Sequence, residues 1–320
     1  LHPTFMVLVP KVMQNFRDLI FSQISKLKGC ERTVIEKAIR NKKETFENEG
    51  EINDPFYDKF VFSKIHDQFG GKWKFVLTGS APMPKELSTE FKILFGCPII
   101  EAYGMTESCG AALLTHSKDY LNGSVGGPGG ASRIRLVDVP ELNYLSSDLI
   151  DGKSCPRGEI CIKGSTLFSG YFRDEANTKL VIDNDGWLHT GDVAMLLYDQ
   201  RRFKIIDRVK EIFKLIQGEY IAPSKLESIY GRCDYVQQIC VHGLSSKSYL
   251  IAIIVVDKFK IKKWLESQEF FQLNDEVENY YGHQKLHEEI KRSFDSLASQ
   301  NGFNSLEKIQ KFVISKNEFS

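Results

Sequence analysis

The sequence predicts an α/β fold: a mixed sheet with crossover helices and a small β-rich subdomain, followed by a smaller α+β C-terminal domain. Three observations predict it. Between residues 56 and 100, helical and strand-like patterns alternate, as they do in a largely parallel sheet with crossover helices. From Gly123 to Gly191 the chain becomes Gly-rich and carries short β-like runs. Beyond Pro223, helices and strands alternate again in what reads as a separate unit, with the boundary at residues 207–210.

Residues 11–48 read as helical, because Val12, Phe16, Leu19, Ile20 and Ile24, and then Val34, Ile35 and Ala38, recur at helical spacings of three and four. Asn53-Asp54-Pro55 breaks the pattern. Phe56, Phe60, Ile65 and Phe69 mark a second helical run, ended by Gly70-Gly71. Lys74–Leu77 and Pro98–Glu101 are short strands. The helix between them opens near Pro84 and carries Leu87, Phe91, Ile93 and Leu94. Arg133–Val137, Glu159–Lys163, Trp187–Thr190 and Phe203–Ile206 are β-like, and Asp185-Gly186 reads as a hairpin turn. The C-terminal unit begins with a helix at Ser224–Tyr230. Strands at Val236–His242 and Leu250–Val256 come next, then helices at Phe259–Ser267 and Gln284–Ser299.

Length and composition narrow the function classes. A chain of 320 residues spans about two domains. With 42% hydrophobic and 26% charged residues, it is an ordinary globular sequence, not a disordered or fibrous one. Lys plus Arg and Asp plus Glu each number 42, so no general nucleic-acid partner is expected. The longest apolar stretch, Tyr249–Val256, is far shorter than the ~20 residues a membrane helix needs. The seven cysteines are scattered with no CxxC pair. That pattern predicts free thiols in an intracellular, reducing compartment and no metal cluster.

Four segments could carry chemistry. Gly79-Ser80-Ala81-Pro82 follows a strand end, where a flat ligand can lie against small residues; an ordinary turn capped by Ser80 is the alternative. Tyr103-Gly104-Met105-Thr106-Glu107 offers a ring face, a hydroxyl and a hard oxygen, a set that suits a base and a Mg²⁺-bound phosphate. The same residues would equally serve as the first turn of a helix. Asp192, at the end of Trp187-Leu188-His189-Thr190-Gly191-Asp192, could accept both hydroxyl protons of a ribose, or simply sit in a turn. His189 reads there as a packed strand residue and not a base. Arg208 and Lys210 at the domain boundary fit either a hinge beside an anionic ligand or a solvated linker. Gly126–Gly130 matches no phosphate-loop spacing and reads as a structural loop. His283 and His287 lack a third ligand and read as a solvated helix face.

Together, in this order and spacing, the segments "LTGSAPMP", "EAYGMTES", "DGWLHTGD" and "KIIDRVKEIFKLIQGEYIAPSKLE" resemble the adenylate-forming acyl-CoA synthetases, specifically the long-chain fatty acid–CoA ligases. The resemblance covers nearly the whole chain. It implies that residues 1–207 are the second half of a large AMP-binding domain and residues 208–320 a small C-terminal domain that stops before its end. It implies ATP and Mg²⁺ as cofactors, coenzyme A as co-substrate and a long-chain fatty acid as substrate. The reaction it implies is adenylation of the acid, then thioester formation. Gly79, Ser80, Ala81, Pro82, Tyr103 and Gly104 would hold the nucleotide. Thr106 would touch the α-phosphate and Glu107 would bind Mg²⁺. Asp192 and Arg208 would hold the ribose, Lys210 would be the hinge, and Gly218 would line the coenzyme A path.

The family's Ser/Thr/Gly-rich phosphate loop and its C-terminal adenylation Lys are not in this sequence. The chain is therefore expected to be a fragment, or a gene model cut at both ends, and inactive in adenylation by itself. Any membrane association, at the endoplasmic reticulum or similar, would come through an N-terminal part. A nucleotide- or acyl-adenylate-binding remnant without catalysis is the alternative.

Overall fold

The computed structural model describes residues 2–197, 201–209, 211–217, 220–244, 247–271 and 275–319, with the backbone only at Lys214. The chain divides into two compact units. One comprises Leu1–Thr190 with Ala194–Ile205, and the other Gly191–Val193 with Ile206–Ser320. The architecture is the mixed α/β arrangement read from the sequence.

The first unit opens with strand β1 (Phe5–Val7) and helices α1 (Pro10–Lys26) and α2 (Cys30–Glu49). A single helical periodicity spans both helices in the sequence, but the structure divides it. The chain breaks at Gly29, whose φ of 65° suits glycine, and α2 ends at Gly50 in the left-handed region. The pattern over 56–69 likewise splits, into α3 (Pro55–Phe60) and α4 (Ser63–Gln68). Asp54 caps α3 by accepting the Phe56 and Tyr57 amides, so the residues that break one helix start the next.

Next come β2 (Phe75–Thr78), α5 (Lys85–Phe95), β3 (Ile99–Met105), β4 (Gly110–Leu114) and β5 (Gly127–Pro128). These strands form one sheet in the order β1-β2-β3-β4-β5. The β1–β2 and β2–β3 pairs are parallel, whereas β3–β4 and β4–β5 are antiparallel. The Gly126–Gly130 run thus supplies a short edge strand. Met13, Ile20, Phe62, Val76, Phe91 and Leu94 pack as the core of this layer.

The β-rich part contains β6 (Ser132–Val137), a small hairpin of β7 (Leu149–Ile150) and β8 (Lys153–Ser154), β9 (Arg157–Gly164), α6 (Glu175–Val181), β10 (Leu188–Leu197) and β11 (Arg202–Arg208). The sheet order is β11-β10-β9-β6. The turn at Asp185-Gly186 does not join two strands as the sequence suggested. It leads from α6 into β10, closed by one Ile182–Leu188 bridge, with the Asp183 carboxylate accepting the Asp185 and Trp187 amides.

The second unit has β12 (Phe213–Lys214) paired with β13 (Tyr220–Ile221), then α7 (Pro223–Tyr230), β14 (Val236–Gly243), β15 (Leu250–Val256), α8 (Lys258–Leu265), α9 (Gln284–Gln300) and β16 (Ile309–Ser315). Strand β15 is central, antiparallel to β14 and parallel to β16. Leu226, Tyr230, Ile254, Ile290 and Phe294 fill its core. His283 and His287 do not line a solvated face. His283 stacks on Phe270 at 4.1 Å, and His287 stacks on Phe312 at 4.8 Å.

Lys42 of α2 is buried, with its side chain 2% exposed. Its Nζ donates to Asp58 Oδ1 at 2.5 Å and to the Ile93 carbonyl at 2.9 Å. Burial lowers its pKa, and Asp58 opposes that shift. Removing the partner would strand a buried charge. Asp58→Ala should therefore lower unfolding stability by about 3 kcal/mol or more. Adding Lys42→Met should recover most of that loss, as read by urea denaturation of the single and double variants.

Candidate functional site

The turn at Gly79–Pro82 leaves the carboxyl end of β2, and the Tyr103–Glu107 segment runs from the carboxyl end of β3 into a short 3₁₀ turn. These strands are parallel neighbours, with Thr78 opposite Glu101. The turn therefore emerges beside Ala102 and Tyr103. The approach is close: a Cβ on Gly79 would lie 2.8 Å from the Ala102 carbonyl oxygen, so only glycine fits. Ser80 takes a left-handed conformation at φ 68°, a strained geometry for a residue with a side chain. Ser80, Ala81 and Pro82 are exposed, and Tyr103 is half-buried.

Gly104 is required for another reason: a Cβ there would overlap the Gly110 carbonyl on the antiparallel neighbour β4. Thr106 and Glu107 lie in a single 3₁₀ turn, Thr106–Ser108. Ser108 Oγ fixes that turn by accepting the Met105 amide at 2.9 Å and donating to the Gly110 carbonyl at 2.7 Å. The Thr106 side chain is on the surface. Glu107 is clamped from outside the motif. Tyr171 donates its hydroxyl to Glu107 Oε1 at 2.6 Å, and the Phe168 amide donates to the Glu107 carbonyl at 2.9 Å. The Tyr171 ring packs edge-on against Phe168. Glu107 with Thr106 presents hard oxygen donors at the surface, a set that fits a Mg²⁺ ion retaining waters and phosphate ligands.

In the second unit, Arg208 Nε donates to Asp192 Oδ1 at 3.0 Å, and Arg208 Nη1 donates to Glu211 Oε1 at 3.0 Å. The Asp192 side chain is only 13% exposed, while Arg208 is largely open. The Val209 amide also donates to the Gly191 carbonyl, which ties the two segments. Lys210 and Gly218 lie outside the described residues. The structure thus brings together Gly79 with the Tyr103–Glu107 strand end, and Asp192 with Arg208, each pair within its own unit.

Residues 1–172 match the sequence pattern of the family described as AMP-binding enzyme. The chain belongs to the AMP-binding enzyme family. It is 42% identical, over 84% of its length, to long chain acyl-CoA synthetase 7, peroxisomal, of Arabidopsis thaliana, and the match spans 37% of that protein. It is 36% identical to fatty acyl-CoA synthetase A of Dictyostelium discoideum, over 100% of this chain and 47% of that one. The chain spans less than half the length of these relatives. Among solved structures, the adenylation domain of the carboxylate reductase from Mycobacterium chelonae superposes with a TM-score of 0.67 at 29% identity, over 99% of this chain and 42% of that one. The AMP complex of the A-PCP didomain of the carboxylic acid reductase from Segniliparus rugosus gives 0.67 at 27% identity, over 99% and 37%.

Several residues of this chain carry no signal in the sequence. Tyr171 is 64 positions from the Glu107 it holds, and no local pattern links them. Glu101, at the head of the Tyr103 motif, is a half-buried carboxyl that burial pushes up to about 7, against the pull of Lys92. Asp207 precedes Arg208 and is almost fully buried. Its Oδ1 accepts the Arg208 amide at 2.8 Å, and its Oδ2 has no hydrogen-bond partner among the described residues. Burial pushes its carboxyl up to about 6.

The fold favours protonated Asp207. Its contribution is therefore complete below the ordinary aspartate range near pH 4 and is lost as pH rises through about 6. Asp207→Asn, which keeps an acceptor for Arg208, should raise stability above pH 7 by up to about 3 kcal/mol. The same change should flatten the decline between pH 4 and 6, as followed by thermal denaturation across that range.

Proposed function

We propose that this chain carries the nucleotide-handling part of an ATP-dependent acid–thiol ligase that activates long-chain fatty acids to acyl-CoA. The observation that carries the reading is the placing of the Gly79–Pro82 turn and the Tyr103–Glu107 segment at the carboxyl ends of two adjacent parallel strands. Open α/β sheets bind ligands there. The similarity to long-chain and fatty acyl-CoA synthetases supports a fatty acid as the acid. In this reading residues 1–207 belong to the large AMP-binding domain and residues 208–320 to the small C-terminal one.

The reaction has two halves. A fatty acid carboxylate attacks the α-phosphorus of ATP and displaces pyrophosphate, leaving an acyl-adenylate. The thiol of coenzyme A, losing its proton, then attacks the acyl carbon and releases AMP. The flat face left by Gly79, Ser80 and Ala81 takes adenine, with Pro82 closing the turn, Gly104 keeping β3 narrow and the Tyr103 ring alongside. Asp192 accepts from the ribose hydroxyls, and Arg208, already paired with it, holds the carboxylate in place. The Thr106 hydroxyl donates to an α-phosphate oxygen. Glu107 holds Mg²⁺, which when bound neutralises charge on the phosphates. Tyr171 sets the orientation of the Glu107 carboxylate. Lys210 is the hinge, and Gly218 lines the pantetheine path. Seven free thiols fit a reducing compartment. Among the described residues, no helix is long and apolar enough to cross a membrane.

Titration calorimetry with AMP should show binding to the chain, and Asp192→Ala should weaken it roughly ten- to hundredfold, the worth of charge-assisted hydrogen bonds to two hydroxyls. Full-strength binding by Asp192→Ala would remove the ribose assignment. Silence from the unmutated chain would sink the nucleotide site itself. For the metal, ATP affinity should rise on adding Mg²⁺ in the unmutated chain and be insensitive to Mg²⁺ in Glu107→Gln; an unchanged Mg²⁺ response in that variant would move the metal elsewhere.

A further inference from the structure

A second group of chemistry-bearing side chains lies in the first unit and has no part in the proposed reaction. Glu159 and Cys161 are two residues apart on β9, so both project from the same face of the sheet. Strand β10 lies next to β9 and brings His189 against them. His189 Nδ1 is 2.8 Å from Glu159 Oε2 and 3.5 Å from Cys161 Sγ. The three donor atoms lie within 4.8 Å of one another. We propose that Glu159, Cys161 and His189 form a binding site for a thiophilic divalent metal ion of the Zn²⁺ class.

The donor chemistry supports this. Thiolate, imidazole and carboxylate together are a zinc-type set, and three protein ligands leave one position for water. Bonds of about 2.0–2.3 Å at tetrahedral angles put donor atoms roughly 3.3–3.7 Å apart. The sulfur–nitrogen spacing already lies in that range, and the Glu159–His189 contact needs to open by only about half an ångström. Charge balances as well: a thiolate and a carboxylate match a divalent cation.

The surroundings resemble the support a histidine ligand needs. Asp183 Oδ2 sits 3.6 Å from the other ring nitrogen, Nε2, where a small shift would let it take that proton and leave Nδ1 to the metal. Asp183 is held in turn by Arg135 Nη2 at 3.1 Å, and the Arg135 guanidinium lies over the Trp187 ring at 4.5 Å. His189 is about one-third exposed and Glu159 about one-fifth, so an ion can enter from solvent although Cys161 is buried. A cysteine ligates such an ion as its thiolate, so binding expels the thiol proton to solvent and apparent affinity rises with pH.

The test uses Co²⁺ as the probe, on the chelator-treated, thiol-reduced chain. One equivalent should give a sulfur-to-cobalt charge-transfer band in the near ultraviolet together with visible bands of tetrahedral intensity. Zn²⁺ should displace both. Cys161→Ser should abolish the charge-transfer band. His189→Asn, at a partly exposed position and so less disruptive to folding, should reduce Co²⁺ affinity at least tenfold while far-ultraviolet circular dichroism stays unchanged. No band in the unmutated chain overturns the site. A band that persists in Cys161→Ser places the metal on another cysteine and overturns it too.

Discussion

The parallel pairing of β2 with β3 is the constraint on which the candidate site depends. Thr78, the last residue of β2, lies opposite Glu101, so the turn leaves the sheet beside Ala102 and Tyr103, and the 2.8 Å approach of a Gly79 Cβ to the Ala102 carbonyl would forbid any larger residue. A shift of one residue would turn every side chain of β2 to the other face of the sheet. The core beneath, with Val76 and Ile99 buried against Phe91 and Leu94, holds that register. The position of the Tyr103–Glu107 segment relative to the turn is a consequence of this pairing.

Around that frame the chain keeps several ionisable groups out of water, each with a partner. Lys42 is buried against Asp58. Lys92 is buried against Asn122 Oδ1 at 2.6 Å and the Asp119 carbonyl at 3.2 Å. Asp119 itself takes Arg202 through both carboxylate oxygens. Such networks contribute less to net stability than an apolar core of the same volume, but they cost heavily when one partner is lost. Their effect here is geometric. Lys92 of α5 is tied to the segment after β4, on the same sheet as the Glu101–Glu107 strand. Glu101, raised by burial and pulled down by Lys92, belongs to that balance.

The two halves of the nucleotide reading rest on different physics. In the proposed reading, adenine recognition would depend on what is missing: side-chain volume at Gly79, Ser80 and Ala81. Ribose and phosphate recognition would depend on charge held in place: Arg208 pairs with Asp192, and Tyr171 with Glu107. Loss of Tyr171 would leave the Glu107 carboxylate present but unaimed. The Glu159–His189 pair is a third device, bracing β9 against β10 a few residues before Asp192 in the chain.

Much of this was legible in the sequence because it is local. The alternation of strand and helix over 56–100, the turn residues at 79–82 and the apolar run of β15 each report a periodicity or a backbone preference within a few residues. The family motifs are short for the same reason. The division of long periodic runs was less legible: Gly29 and the 61–62 step interrupt helices whose apolar spacing continues unbroken, because period alone does not register a change in axis. Asp185-Gly186 has the residues of a hairpin turn, yet the segment before it is a helix capped by Asp174, and only Ile182 bridges to Leu188, so the turn joins a helix to a strand. What tertiary structure alone decided are the contacts across long separations. Tyr171 meets Glu107, His189 meets Glu159 and Cys161, and Asp207 is buried with one oxygen unmatched among the described residues. Sequence spacing carries none of these, because a side chain's partner on a neighbouring strand is set by sheet order and register, and those are properties of the folded chain.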